Sequence, residues 1–353
     1  MYDKIINAVR EIAKNETPCD NIDIAEILQK HKCFYLLVKN KNINYTANDL
    51  LFNKAVINAR YKNCEPVFDS LKLKKIPYAV IKGAVLSQTA YGGVIYRKSR
   101  DIDLLAGRDN IDYLTNIMHD NGFIQGRITD DGIIPFTRQE ILFYLSLTHQ
   151  VAPFVKKTDD FFCEYVRIDI NMNILWGEHN KKSDMNYILS VSNTTDTDIC
   201  GVKVSKLNTI IEFISLCLHH YKDMNSIYLL AKGKLKLYLF CDIYFYLINN
   251  QNQIDAIKLA EECDKLNVTE YIYYCVYHAN TIFDDDRLNK YISVLENQKG
   301  KNILDNFGLD DSERKVWDMT LYERLFSDKF HEKFEALLNE KDKEKIRNNR
   351  FFM

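Results

Sequence analysis

Charge of one sign is not in excess in this chain: 47 lysines and arginines stand against 49 aspartates and glutamates over 353 residues, a net of −2. Net charge therefore supplies no argument for a nucleic-acid or membrane partner, and any polyanion contact must come from local residues. Nor does any stretch approach the roughly 20 apolar residues that cross a bilayer, so no membrane association is expected. The opening Met1-Tyr2-Asp3-Lys4-Ile5-Ile6-Asn7 mixes acids and bases with short apolar runs. It reads as neither a secretory signal nor a transit peptide, and a cytoplasmic protein is expected. The nine cysteines, Cys19 to Cys275, are odd in number and never form a C-x-x-C pair. That spacing predicts reduced thiols in or near the core rather than a disulfide framework or a zinc site. Internal repeats and low-complexity linkers are also missing. What is present, 46% hydrophobic residues in a chain of this length, suffices for a buried core and two or three sub-structures.

The periodicity changes twice along the chain. Residues 1–70 show apolar positions at three- and four-residue steps, as in Ile24-Ala25-Glu26-Ile27-Leu28, and read as an N-terminal helical region. Ile76-Pro77-Tyr78-Ala79-Val80-Ile81 is a short continuous apolar run closed by Lys82-Gly83, a strand running into a turn. Helical spacing resumes over Ala84 to Tyr91, Gly92-Gly93 breaks it, and Asp101 to Leu105 reads as a second strand. A helix from about Asp109 to Asn121 ends at Gly122. Ile141 to Leu147, nearly all apolar, reads as a buried strand. Tyr165 to Ile174 alternates, with Val166, Ile168, Ile170, Met172 and Ile174 on one face and Arg167, Asp169, Asn171 and Asn173 on the other. After Leu207 the pattern returns to helices, including 235–248, 254–266 and 269–283. The expected architecture is α+β: a helical region 1–70, a mixed-sheet core 71–206 and a C-terminal helical domain 207–353.

The core carries a recognisable chemistry. Residues two apart on a strand point to the same side about 6.6 Å apart, so Asp101 and Asp103 aim at one spot while Ile102 and Leu104 enter the core. A carboxylate from a neighbouring strand completes a site for hard divalent cations, and Asp169 fits that place. A triphosphate also needs a cradle. A strand ending in Gly83 and leading into a helix presents backbone N–H groups and the positive end of the helix dipole. Lys82 and Arg97 add charge there. Singly, an Asp-x-Asp or a turn glycine says little, because exposed strands and ordinary turns produce both. Their conjunction with a later isolated aspartate points to metal-dependent nucleotidyl transfer.

The segment Ile81-Lys82-Gly83-Ala84, followed by Tyr91, Arg97, Ser99 and Asp101-Ile102-Asp103-Leu104-Leu105, resembles the bacterial uncharacterised nucleotidyltransferase family within the DNA polymerase beta-like superfamily. The resemblance continues through His149, Ile168-Asp169-Ile170 and Leu216-Cys217-Leu218-His219-His220-Tyr221-Lys222. It implies a small mixed nucleotidyltransferase sheet flanked by helices, using two Mg²⁺ ions, with Mn²⁺ as the substitute, to act on a nucleoside triphosphate such as ATP. By position, Asp101, Asp103 and Asp169 would be catalytic and bind metal, Asp169 completing the site or acting as general base. Lys82, Gly83 and Ala84 would face the triphosphate, with Arg97 and His149 as further nucleotide contacts. Two departures bear on substrate rather than on the carboxylates: Ala84 stands where relatives often have serine, and Asn171 where many have histidine.

Other residues have plainer readings. His219 and His220, adjacent on a helix, point about 100° apart and are expected not to share an ion. Lys222 reads as a solvated lysine, Asp242 as a buried, paired carboxylate in an apolar helix, and Asp284-Asp285-Asp286 as a solvated loop. The function expected is transfer of a nucleoside monophosphate to an acceptor (a small molecule, peptide, protein or RNA) with release of pyrophosphate. The alternatives are a toxin-like nucleotidyltransferase acting on tRNA or protein, and an inactive nucleotide-binding module.

Overall fold

The computed structural model describes residues 2–17, 23–40, 47–177 and 182–349. Cys19 and the last four residues of the charged C-terminal tail lie outside them. The chain divides into two compact units, one of Met1–Asn44 with Leu216–Met353 and one of Tyr45–Ser215. This differs from a succession of 1–70, 71–206 and 207–353: the long helix before the first strand belongs with the sheet, and the first 44 residues belong with the later helices.

The helical unit begins with α1 (Tyr2–Ala13), α2 (Ile24–Lys30) and α3 (Phe34–Lys39). α1 buries Ile5, Ile6, Val9 and Ile12, the stripe that a 3.6-residue period puts on one side. The sheet unit then runs α4 (Ala47–Leu73), β1 (Tyr78–Ile81), α5 (Gly83–Tyr91), β2 (Ile102–Ala106), α6 (Ile111–Asp120), β3 (Ile124–Thr129), β4 (Gly132–Pro135) and α7 (Arg138–Leu147). It continues with β5 (Phe154–Lys157), β6 (Tyr165–Asn171), α8 (Met185–Ile188), β7 (Thr194–Ile199) and β8 (Val202–Leu207). α9 (Thr209–Asn225) starts in this unit and ends in the helical one, which goes on through α10 (Ile227–Lys232), α11 (Tyr238–Asn249), α12 (Ala256–Leu266) and α13 (Thr269–Phe283). No helix among the described residues is long and apolar enough to cross a membrane.

The fold is α+β. One mixed sheet of eight strands has the order β4-β3-β5-β6-β2-β1-β8-β7. β2 pairs antiparallel with β1 and parallel with β6, and β1 pairs parallel with β8. The strand β1, Tyr78-Ala79-Val80-Ile81, is buried throughout, as a continuous apolar run in mid-sheet requires. One face of the sheet packs on α4 and α6: Val80, Leu104, Ile168 and Ile170 share a core with Val67, Phe68, Leu114 and Ile117. Phe68 stacks on Tyr78 with ring centroids 6.1 Å apart.

Ile141 to Leu147 is not a strand. It lies in α7, whose start is fixed by a capping box: the Glu140 N–H donates to Thr137 Oγ1, and the Thr137 N–H donates to the Glu140 carboxylate. A short apolar run has no period of its own to separate strand from helix, so the cap decides. The run is not deeply buried either, with Leu142 50% exposed. The hairpins β3–β4 and β7–β8, together with β5, are strands that the apolar pattern did not reveal; β3 and β7 are largely solvent-facing. All eight described cysteines are free thiols, seven of them buried and Cys200 half-buried.

Candidate functional site

The parallel pairing of β2 with β6 sets Asp103 directly beside Asp169, while the antiparallel pairing of β1 with β2 sets Ile81 on the other side of Asp103. The turn that follows Ile81 thus ends next to the Asp103 strand. Asp101 stands one residue before β2, at its entrance. Alternation sends Ile102, Leu104, Ile168 and Ile170 into the core and leaves Asp103, Asp169 and Asn171 on the opposite face. That face is not open to water: Asp169 is 7% and Asn171 3% exposed.

The turn has an unusual backbone. Lys82 adopts φ 58°, ψ −151° and Gly83 φ 49°. The first of these lies in a region nearly reserved for glycine and costs of order 1–3 kcal/mol in a residue with a side chain, a strain that clusters at functional sites. It sends the Lys82 amine to Asp103, with Nζ 3.0 Å from Oδ1. At Gly83 an added Cβ would stand 3.4 Å from Ser99 Oγ, so the turn packs closely on the loop leading to Asp101. α5 starts here, and no side chain caps its N-terminus.

Each carboxylate has a different environment. Asp103 Oδ1 accepts from Lys82 Nζ and, at 3.3 Å, from Asn171 Nδ2. Asn171 in turn accepts from Gln150 Nε2 at 2.9 Å. Asp169 is clasped by Arg167, with Nε 2.8 Å from Oδ1 and the second guanidinium nitrogen 2.9 Å from Oδ2. Even so its pKa is pushed up to about 6, first by burial, with the charges of Asp103 and Asp101 adding to it against the pull of Arg167. The Asp101 carboxyl is also raised, by burial and then by Asp103, against Arg167, Lys82 and Arg60. The three acids feel one another, although their oxygens do not form a set all within 4.8 Å.

Lys82, Gly83, Asp101, Asp103 and Asp169 are brought together. Ala84 is buried in the first turn of α5. Arg97 is half-buried in the loop between α5 and β2. His149 lines a cavity of about 370 Å³ with Gly107, Arg108, Met172, Asn173 and Trp176, at the ends of β2 and β6. The three aspartates do not line that cavity; the pair Gln150–Asn171 stands between its wall and Asp103. The apolar pattern gave no sign of Arg60, which is 6% exposed on α4 and donates to Ser99 O at 2.9 Å and to Ser99 Oγ at 3.3 Å. A lone arginine among apolar helical positions was the available signal.

In the helical unit Asp242 is buried and paired as expected, its Oδ2 3.0 Å from His220 Nε2. Asp285 is held by Arg287 and by the Tyr244 hydroxyl. Lys222 is half-buried rather than solvated. His219 and His220 do not diverge as their 100° spacing suggested: their ring centroids are 5.7 Å apart, and one ring nitrogen of each lies within 4.8 Å of the other and of an Asp223 oxygen. Long side chains bent along the helix overcome the angle between their Cβ bonds.

Residues 53–284, more than half of the chain, match the model of a family described as uncharacterised nucleotidyltransferase. Comparison with curated proteins gave no match. Among solved structures, that of an antigenic nucleotidyltransferase-like protein from Paracoccidioides brasiliensis is 14% identical, over 68% of this chain and 99% of its own, with a TM-score of 0.32. A likeness of that size says nothing about the site.

Proposed function

The chain belongs to the uncharacterised nucleotidyltransferase family, and from that premise we propose that it transfers a nucleoside monophosphate from a nucleoside triphosphate to a nucleophilic acceptor, with Mg²⁺ bound at Asp101, Asp103 and Asp169. The observation that carries this reading is the pairing of Asp103 with Asp169 across β2 and β6, beside the Lys82-Gly83 turn. The donors suit the ion: three carboxylates supply only hard oxygens, and two of the three have raised pKa values through burial and one another's charge. Bound Mg²⁺ would neutralise triphosphate oxygens and the charge that develops on the leaving group.

The chain's own residues supply the rest. Asp103 is now neutralised by Lys82 and Asp169 by Arg167, cations that a triphosphate would draw toward its own oxygens. The Arg167 side chain is 45% exposed and can turn outward. The uncapped first turn of α5 offers N–H groups to a phosphate. The acceptor atom bonds to the α-phosphorus, the bond from that phosphorus to the bridging oxygen breaks, and pyrophosphate leaves. The acceptor's proton passes to Asp169, the buried carboxylate paired beside Asp103.

The test is incubation of the protein with Mg²⁺ and each α-labelled triphosphate in a cell extract. Label should appear on an acceptor and vanish with Asp101→Asn or Asp103→Asn. Undiminished transfer in both variants would remove these residues from the site, and failure of every triphosphate to bind would remove the activity.

A further inference from the structure

Among the described residues, one group of three side chains has donor atoms all within 4.8 Å of one another and able to hold a metal ion: His219, His220 and Asp223, in the part of α9 that belongs to the helical unit. We propose that these three residues form a site for a divalent transition-metal ion of the zinc type. The spacing is favourable, because Asp223 lies four residues after His219 and three after His220. Both intervals bring side chains together on a helix, and an Asp223 oxygen lies within 4.8 Å of a nitrogen of each ring.

His220 supplies the independent observation. It is 0% exposed, its Nε2 is 3.0 Å from Asp242 Oδ2, and its Nδ1 is buried without a hydrogen-bond partner. Donation of Nε2–H to the buried Asp242 carboxylate leaves the lone pair of Nδ1 facing protein with nothing to satisfy it, an unfavourable state for a buried polar atom. A metal ion bound at Nδ1 would remove that deficit. A histidine with one nitrogen on a carboxylate and the other on an ion is the usual arrangement in metalloproteins, since the carboxylate fixes the tautomer and raises the basicity of the ligand. His219 Nε2 and Asp223 Oδ2 are 3.4 Å apart, with side chains 24% and 21% exposed, so ion and ligands can meet at a half-open surface. Two imidazoles and a carboxylate favour zinc-type ions over Mg²⁺. Three protein ligands leave a fourth tetrahedral position for water or a substrate atom.

The probe is Zn²⁺ itself, titrated against a chromophoric chelator into the full chain after metal stripping, with Mg²⁺ in excess to occupy carboxylate sites. The wild type should bind one tight equivalent. His219→Ala and Asp223→Asn, at half-exposed positions, should weaken it at least about tenfold, and Asp242→Asn roughly ten- to a hundredfold. Circular dichroism establishes that each variant is folded. Co²⁺ in place of Zn²⁺ should show tetrahedral visible bands that disappear with His219→Ala, and the equivalent should persist in Asp101→Asn. Absence of a tight equivalent in the wild type overturns the proposal. So does one that survives both His219→Ala and Asp223→Asn, or one that is lost with Asp101→Asn alone.

Discussion

Two aspartates, one in each unit, are gripped by an arginine two residues away, yet their chemistry is opposite. In the sheet unit Arg167 clasps Asp169 at 2.8 and 2.9 Å; in the helical unit Arg287 clasps Asp285 at 2.9 and 2.6 Å. Little of either is open to water, at 7% and 9%, but the Asp169 carboxyl lies deeper in the protein. Asp285 nevertheless has its pKa lowered to about 2, by Arg287 first, with burial opposing and the Arg287 N–H and Tyr244 hydroxyl assisting. Asp169 is raised to about 6. Asp169 sits in the middle of an eight-stranded sheet beside two further acids, whereas Asp285 sits at the loop after α13 with donors on every side. A bidentate arginine therefore does not by itself fix the direction in which a carboxyl shifts. Depth of burial does, with the company of like charges adding to it.

The largest effect that separates the two is on turnover. Asp101→Asn and Asp103→Asn should each lower label transfer by at least about 10³-fold, because each removes a charge proposed to hold Mg²⁺, while the chain stays folded by circular dichroism. Asp285→Asn should leave transfer per folded molecule intact and lower unfolding stability by about 2 kcal/mol in urea titration, the usual scale for losing hydrogen bonds to a charged group. In metal-free buffer Asp169→Asn should change stability by less than about 1 kcal/mol, since lost arginine contacts are offset by no longer burying a charge beside two acids. Equal destabilisation by the two variants would erase the distinction.

The pH dependence sharpens it further. Asp285 has a folded pKa below its ordinary 3.8, so its stabilisation is present above that value and lost as pH falls through about 2. Asp169 has a folded pKa above 3.8, so its contribution is present below 3.8 and lost as pH rises through about 6. The stability of wild type relative to Asp169→Asn should thus fall between pH 3.8 and 6 without metal. Relative to Asp285→Asn it should rise between about pH 2 and 3.8. Another small effect belongs to Gly83→Ala, at about 1 kcal/mol from its positive φ, visible as a small fall in thermal midpoint.

Much of the carboxylate strand geometry was legible from local pattern. Tyr78 to Ile81 is a short apolar run stopped by Gly83, and Val166 to Ile170 alternates so regularly that Asp169 had to face away from Ile168. Local pattern stops at pairing, however. It places Asp103 and Asp169 on strands but cannot make those strands neighbours, and alternation does not tell that Asp169 and Asn171 are buried. The same limit hid Arg60 under Ser99 and the Gln150–Asn171–Asp103 chain, both made by tertiary approach, whereas the convergence of His219 with His220 is a matter of side-chain direction within one helix. At α7 the error was of another kind. Thr137-x-x-Glu140 marks a helix start there, and the apolar run after it has no period of its own to separate strand from helix.

Parallel incubations with α- and γ-labelled triphosphate test the carboxylate site most directly. Wild-type protein with Mg²⁺ should place α-label on the acceptor and release γ-label as pyrophosphate, and Asp103→Asn should do neither. Appearance of γ-label on the acceptor, or α-transfer undiminished in Asp103→Asn, would contradict nucleotidyl transfer at these three aspartates.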